Sequence, residues 1–235
     1  MQTGDNIKAQ NANWKFDEAV AQNFDEHAEK SIPLYNIGHD LIVKLSDFFL
    51  QDGSICYDIG CSTGSLLQKL AIHNAHKNVR FIGIDNQKAM LTKAQKKCKN
   101  FKNIEFIHGN IEDMDLEKAD LIVSYYTMQF IRPKYRQILF DKFFKALNWS
   151  GALLLFEKVR ANDARFQDMM TALYTDYKLD QNYKAEEIMN KTKSLKGVLD
   201  PFSTQANLDY LQRAGFADYI NIMKYVCFEG FLAIK

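Results

Sequence analysis

The sequence predicts an α/β fold: a doubly wound, mostly parallel sheet of seven strands, wrapped by helices. Three observations carry that expectation. Short apolar runs alternate with helix-period segments from residue 55 to residue 156, and such alternation implies parallel β-α-β units with both faces of the sheet covered. Two further apolar runs, 220–226 and 228–234, follow near the C-terminus, with Glu229-Gly230 inside the second. A length of 235 residues suits one sizeable core rather than two.

Residues 1–13 are polar and aperiodic and read as a flexible tail, leaving 14–235 as a single domain. Phe16, Val20 and Phe24 recur every four residues, one face of an amphipathic helix. Ser31 and Pro33 open a second helix running to about residue 50, so 14–50 form an N-terminal helical pair. The run Ile55-Cys56-Tyr57-Asp58-Ile59 ends in Gly60 and has the length of a buried strand. Further strands are expected at 79–84, 104–107, 119–123 and 152–156, with helices at 65–72, 87–99 and 135–147. Pro33, Pro133 and Pro201 all stand at the start of helical or apolar-periodic runs, where a missing N–H costs nothing. Residues 161–203 are polar, helical in pattern and rich in aromatics, which marks a helical lid insertion.

Composition narrows the function classes. Apolar residues at 47% and charged residues at 25% are ordinary for a globular enzyme. A formal net charge of +1 provides no overall field for nucleic acid or an anionic membrane. No leader-like segment and no apolar run of membrane-spanning length is present, so the expected location is the cytoplasm. Cys56, Cys61, Cys98 and Cys227 are scattered and suggest no disulfide framework. His73 and His76 lack a third ligand, so no metal is expected. The lysines at 93, 96, 97, 99 and 102 read as a solvated helix end rather than a nucleic-acid patch.

In open parallel sheets, ligands bind beyond the carboxyl ends of the strands. Three of those ends carry groups suited to a nucleoside. Asp58-Ile59-Gly60-Cys61-Ser62-Thr63-Gly64 places two glycines where backbone must approach a ligand, ahead of a helix whose free N–H groups favour an anion. The spacing is Gly-x-x-x-Gly, looser than a pyrophosphate loop and suited to an amino-acid carboxylate. Asp85 ends the next strand, where a carboxylate can accept both ribose hydroxyls or cap the following helix. Gly109-Asn110-Ile111 follows the third strand, where the Asn110 oxygen and the Ile111 N–H could meet an adenine edge. Glu157, ending the fifth strand, is a candidate general base or a structural hydrogen-bond partner. Phe166, Tyr174, Tyr177 and Tyr183 could line an acceptor pocket from the lid or pack within it.

Residues 58–64, Ile84-Asp85-Asn86, Gly109-Asn110-Ile111 and 151–158 together resemble the successive motifs of class I methyltransferases, which have a Rossmann-like fold. The sequence from residue 14 onward is similar in particular to the carboxy-S-adenosylmethionine synthases, which act in modification of the tRNA wobble uridine. Trp14-x-Phe16-Asp17-Glu18, Ser31-Ile32-Pro33-x-Tyr35, Gly60-Cys61-Ser62, Gln129-Phe130, Glu157-Lys158 and Ala214-Gly215-Phe216 carry that similarity. The resemblance implies S-adenosylmethionine contacts from Tyr35, Gly60, Cys61, Ser62, Asp85, Asn86 and Ile111, with Asp58, Gly64 and Asn110 in the same motifs and Tyr125 near the methionine end. It also suggests a homodimer. Three positions depart from the synthase pattern. Asn110 replaces an aspartate, Tyr125 replaces an asparagine near the methionine end, and Thr192 aligns with the arginine that grips the added carboxylate. Tyr125 is thereby a second catalytic candidate. A threonine cannot make arginine's bidentate contact, though Lys191 or Lys193 could stand in as a point charge.

Methyl transfer from S-adenosylmethionine to a small-molecule acceptor is therefore the leading expectation. Synthesis of carboxy-S-adenosylmethionine from prephenate is the alternative. Cofactor binding without catalysis is the second alternative.

Overall fold

The computed structural model describes residues 1–235. Its strands are β1 (Ile55–Ile59), β2 (Arg80–Asp85), β3 (Ile104–His108), β4 (Ala119–Tyr125), β5 (Leu147–Lys158), β6 (Asp218–Tyr225) and β7 (Phe228–Ile234). They form one sheet in the order β3-β2-β1-β4-β5-β7-β6. The pairs from β3 through β5 are parallel, while β7 runs antiparallel between β5 and β6. This is the expected seven-stranded, mostly parallel sheet. The strand order reverses between β1 and β4, and that is where such sheets open a crevice.

The helices are α1 (Glu18–Ser31), α2 (Tyr35–Leu45), α3 (Ser65–His73), α4 (Lys88–Lys97), α5 (Pro133–Ala146), α6 (Ala164–Asp180), α7 (Ala185–Ser194) and α8 (Thr204–Ala214). Local chemistry sets several of their ends. Asp17 caps α1 by accepting from the Val20 N–H at 3.1 Å. Leu34, at φ 59°, breaks the chain between α1 and α2, so the second helix starts at Tyr35 rather than at Ser31 or Pro33. Ser203 caps α8 by accepting from the Ala206 N–H at 3.1 Å.

Side chains alternate across each strand, which sorts the core into two layers. Cys56, Leu121, Val123, Leu154 and Phe156 pack against α2, α3 and α4. Tyr57, Ile59, Ile122, Leu153 and Leu155 pack against α5 and α8 on the other face. No helix is long and apolar enough to cross a membrane.

The N-terminal thirteen residues are not a loose tail. Thr3 and Ile7 are 0% and 1% exposed, and Ile7 packs with Trp14, Val20 and Met90. Backbone bonds from Ala12 N–H to Lys193 O and from Trp14 N–H to Ser194 O, 3.0 and 3.1 Å, strap the segment along α7. Its polar composition concealed one anchoring isoleucine and a set of hydrogen bonds to distant partners.

Candidate active site

A cavity of about 560 Å³ lies beyond the carboxyl ends of β1, β2 and β4, walled by α1 and α2 on one side and by α6 and α7 on the other. One half of it is built from the β1 loop and the ends of β2 and β3. The N–H groups of Gly60 and Cys61 both donate to the Ile84 carbonyl, at 2.7 and 3.1 Å, which pins the β1 loop to the end of β2. Gly60 sits at φ +75°, and a Cβ there would collide with the Thr127 side chain, so glycine is required on both counts. Gly64, at φ +74°, is the residue before α3 and packs over Ala94 and Phe106. It shapes the loop from behind and does not line the cavity, contrary to the expectation of direct contact.

Asp85 does two jobs. Its Oδ2 accepts from the Ser62 N–H at 2.9 Å and its Oδ1 from the Gln87 N–H at 2.8 Å, so it closes an Asx turn ahead of α4 and tethers the β1 loop. Each oxygen retains a second lone pair for a ribose hydroxyl. Asn86 donates to the Asn110 oxygen at 3.0 Å, and Asn110 donates in turn to Asp113 at 3.3 Å. Ile111 is buried beneath this pair, and the Lys142 amine fixes its loop through the carbonyls of Ile111, Glu112 and Met114. Cys61 and Ser62 also face the cavity. Burial holds the Cys61 thiol well above its ordinary range, which suits a wall and not a nucleophile.

Asp58 forms part of the floor. Burial, and secondarily Asp85, push its carboxyl up to about 7, with no donor of the chain offsetting them. A cationic ligand beside it would supply the missing partner. Binding such a ligand below pH 7 must then release a proton from Asp58, so S-adenosylmethionine affinity should rise with pH up to about 7 and level off above it. Calorimetry in buffers of different ionisation enthalpy reads that proton directly. A flat pH profile would remove Asp58 from the cation's surroundings.

The two catalytic candidates are placed differently from expectation. The Tyr125 ring reaches the wall, but its hydroxyl donates to the Tyr35 carbonyl at 2.6 Å and is unavailable for proton transfer to a ligand. Tyr35, His39 and Tyr125 form a ring cluster with centroids 4.6–5.2 Å apart. Glu157 is 2% exposed and does not line the cavity. Because Lys158 faces the cavity, strand alternation turns Glu157 to the opposite layer, towards Arg136 and the Met128 and Gln129 N–H groups. Burial pushes its carboxyl up to about 8 there.

The other half of the cavity is cationic. Lys158 from β5, Lys178 from α6 and Lys191 from α7 all line it. No ion pair joins any of the three to a carboxylate. All three lie against π faces: Lys158 and Lys178 stand 4.2 and 4.3 Å from the Tyr174 ring, and Lys191 stands 5.2 Å from Trp14 and also meets the neutral groups His27 and Ser31. Burial, reinforced by Lys158, lowers the Lys178 ammonium to about 8. Beside them the Tyr126 hydroxyl is buried without a hydrogen-bond partner. Of the four lid aromatics singled out in the sequence, only Tyr174 lines the cavity. Thr192 also lines it, but its hydroxyl turns back to the Ile188 carbonyl at 2.8 Å. Lys193 does not reach it.

Residues 50–215 match the family described as a methyltransferase domain. A carboxy-S-adenosyl-L-methionine synthase of Wolinella succinogenes is 38% identical over 227 residues, covering 94% of this chain and 93% of that protein. Among solved structures, human N-acetylserotonin methyltransferase in complex with SAM superposes with a TM-score of 0.62 at 17% identity. That match covers 93% of this chain and 55% of the human enzyme. A cyclopropane synthase of Mycobacterium tuberculosis gives a TM-score of 0.60 at 16% identity, over 83% of this chain and 81% of the other.

Proposed function

The chain belongs to the methyltransferase-domain family and, within it, to the carboxy-S-adenosyl-L-methionine synthases, and from that premise we propose that it forms carboxy-S-adenosylmethionine with an anionic second substrate. It is an S-adenosylmethionine-dependent transferase. The observation that carries the finer reading is the cationic half of the cavity. Three lysines without carboxylate partners, Lys178 buried and Lys158 and Lys191 half-buried, are costly in the cavity wall unless a ligand brings the negative charge. Prephenate, with two carboxylates, fits that requirement.

Each half of the cavity then has a task. Asp85, Asn86, Asn110 and Ile111 orient the nucleoside, while Asp58 and the residue 60–64 loop hold the amino-acid end. The sulfonium supplies an activated methyl carbon. In this reading the carbon exchanges a proton for carbon dioxide given up by prephenate, and that proton leaves as water with the hydroxide prephenate also loses. The lysines hold the anions, and Tyr174, Phe228 and the lid helices keep water out.

One observation favours a second reading, methyl transfer to a small anionic acceptor. The resemblance sets Thr192 against the family's carboxylate-gripping arginine, and the Thr192 hydroxyl is committed to the helix backbone. Incubation with S-adenosylmethionine, with and without prephenate, read by mass spectrometry, separates the two. A carboxylated cofactor formed only with prephenate supports the first reading, and its absence favours the second. Thr192→Arg should shift the preference towards the carboxylated cofactor by about tenfold, or ~1.4 kcal/mol. Equal relative affinity in both proteins would show that the lysines already do the arginine's work. The four cysteines are all free and buried, which fits a reducing, cytoplasmic setting. Light scattering tests the homodimer that the resemblance suggests.

A further inference from the structure

Lys191 is held by a relay that begins in the N-terminal segment. The Asp5 carboxylate lies 2.6 Å from Nδ1 of His27, and Nε2 of the same ring lies 2.5 Å from Nζ of Lys191. A carboxylate at Nδ1 fixes the tautomer with the proton there, so Nε2 presents a lone pair and the lysine donates to it. Lys191 also donates to Ser31 Oγ at 2.8 Å. Two of the three ammonium N–H bonds are thus fixed, on an amine that lines the cavity.

The surroundings of this amine are unequal. Burial disfavours its charge first, Lys178 from α6 and Lys158 from β5 repel it, and Asp5 is the carboxylate that favours it. His27 stacks on Trp14 with ring centroids 5.7 Å apart and is kept neutral, its pKa lowered to about 4 by burial and by Lys191. Asp5 is itself secured by the Tyr183 hydroxyl and by Lys30. The segment carrying Asp5 is tied to α7, the helix of Lys191, by the Asn190 side chain donating to Gln2 O at 3.0 Å.

We propose that Asp5 is a positioning residue of the active site, acting through His27 to hold the Lys191 amine where it meets an anionic group of the second substrate. The N-terminal segment is then a built part of the site, and the reach of the cationic half depends on it. The inference rests on the reading that the second substrate is anionic.

The test uses the full chain and the variants Asp5→Asn and Asp5→Glu. In protein labelled with 13Cε-lysine, the Lys191 resonance, identified through its loss in Lys191→Arg, is titrated by pH and then with malonate as a probe anion. Asp5→Asn should lower the Lys191 titration midpoint and weaken the malonate-induced shift about tenfold. Asp5→Glu should restore both. S-adenosylhomocysteine affinity should stay within about twofold in every variant. An unchanged midpoint, an unchanged malonate response, or a parallel loss of S-adenosylhomocysteine affinity would overturn the proposal, the last by showing a purely structural strap. These readouts do not require turnover. Failure of the wild-type protein to act on prephenate would count against carboxy-S-adenosylmethionine synthesis and leave the relay to be decided by the titration.

Discussion

Asp85→Ala should weaken S-adenosylmethionine binding by at least a hundredfold. The carboxylate is positioned to accept ribose hydroxyls, and a hydrogen bond to a charged group contributes about 1.5–3 kcal/mol. The same oxygens hold the Ser62 and Gln87 N–H groups, so the alanine variant also frees the β1 loop and opens the turn that leads into α4. Asp85→Asn separates these contributions, because it keeps one acceptor and loses the charge. Calorimetry should therefore rank affinities as wild type, then asparagine, then alanine. Wild-type affinity in the alanine variant would place the ribose elsewhere.

The half of the site around Asp85 was legible in the sequence because its determinants are local. A glycine at positive φ, an acid at a strand end and an Asx turn each leave a mark within a few residues. The strands were legible for the same reason, being apolar runs with definite boundaries. β5 shows where that reading stops. It begins at Leu147, five residues before its apolar run, and passes through the polar or exposed Asn148, Trp149 and Ser150. Leu147 pairs with Ala119 across a register shift, a tertiary constraint with no periodic trace. For Glu157 the sequence left a general base and a structural partner both open, because a single residue of alternation decides which face a side chain serves, and β5 turns it away from the cavity.

The cationic half was illegible because it is assembled across the chain. Lys158, Lys178 and Lys191 come from a strand and two lid helices, and no spacing connects them. Lys158 stood within a quoted motif without a role, Lys191 figured only as a substitute for arginine, and Lys178 had no mark beyond Tyr174 four residues before it. Asp5 and His27 lay in segments read as a tail and a helix face. A net charge of +1 over the whole chain hides a pocket lined by Lys158, Arg160, Lys178, Lys191 and Lys196.

Lys178→Met should raise the KM for the anionic substrate by roughly ten- to a hundredfold while leaving S-adenosylmethionine affinity unchanged. Methionine preserves much of the apolar stem that packs at Tyr174 and deletes only the charge and its donors. The pH dependence sharpens the test. The Lys178 ammonium loses its proton near pH 8 in the free protein because burial and Lys158 disfavour the charge. A bound carboxylate favours the charged form, so substrate binding should be strongest below about 8 and weaken as pH rises through it. Steady-state kinetics on the wild-type protein should show KM rising above that pH with kcat less affected, and the methionine variant should lose that dependence. An unaltered KM in Lys178→Met, or a pH profile the substitution does not change, would mean that the anion is held by other groups and that the cationic half is not the substrate's site.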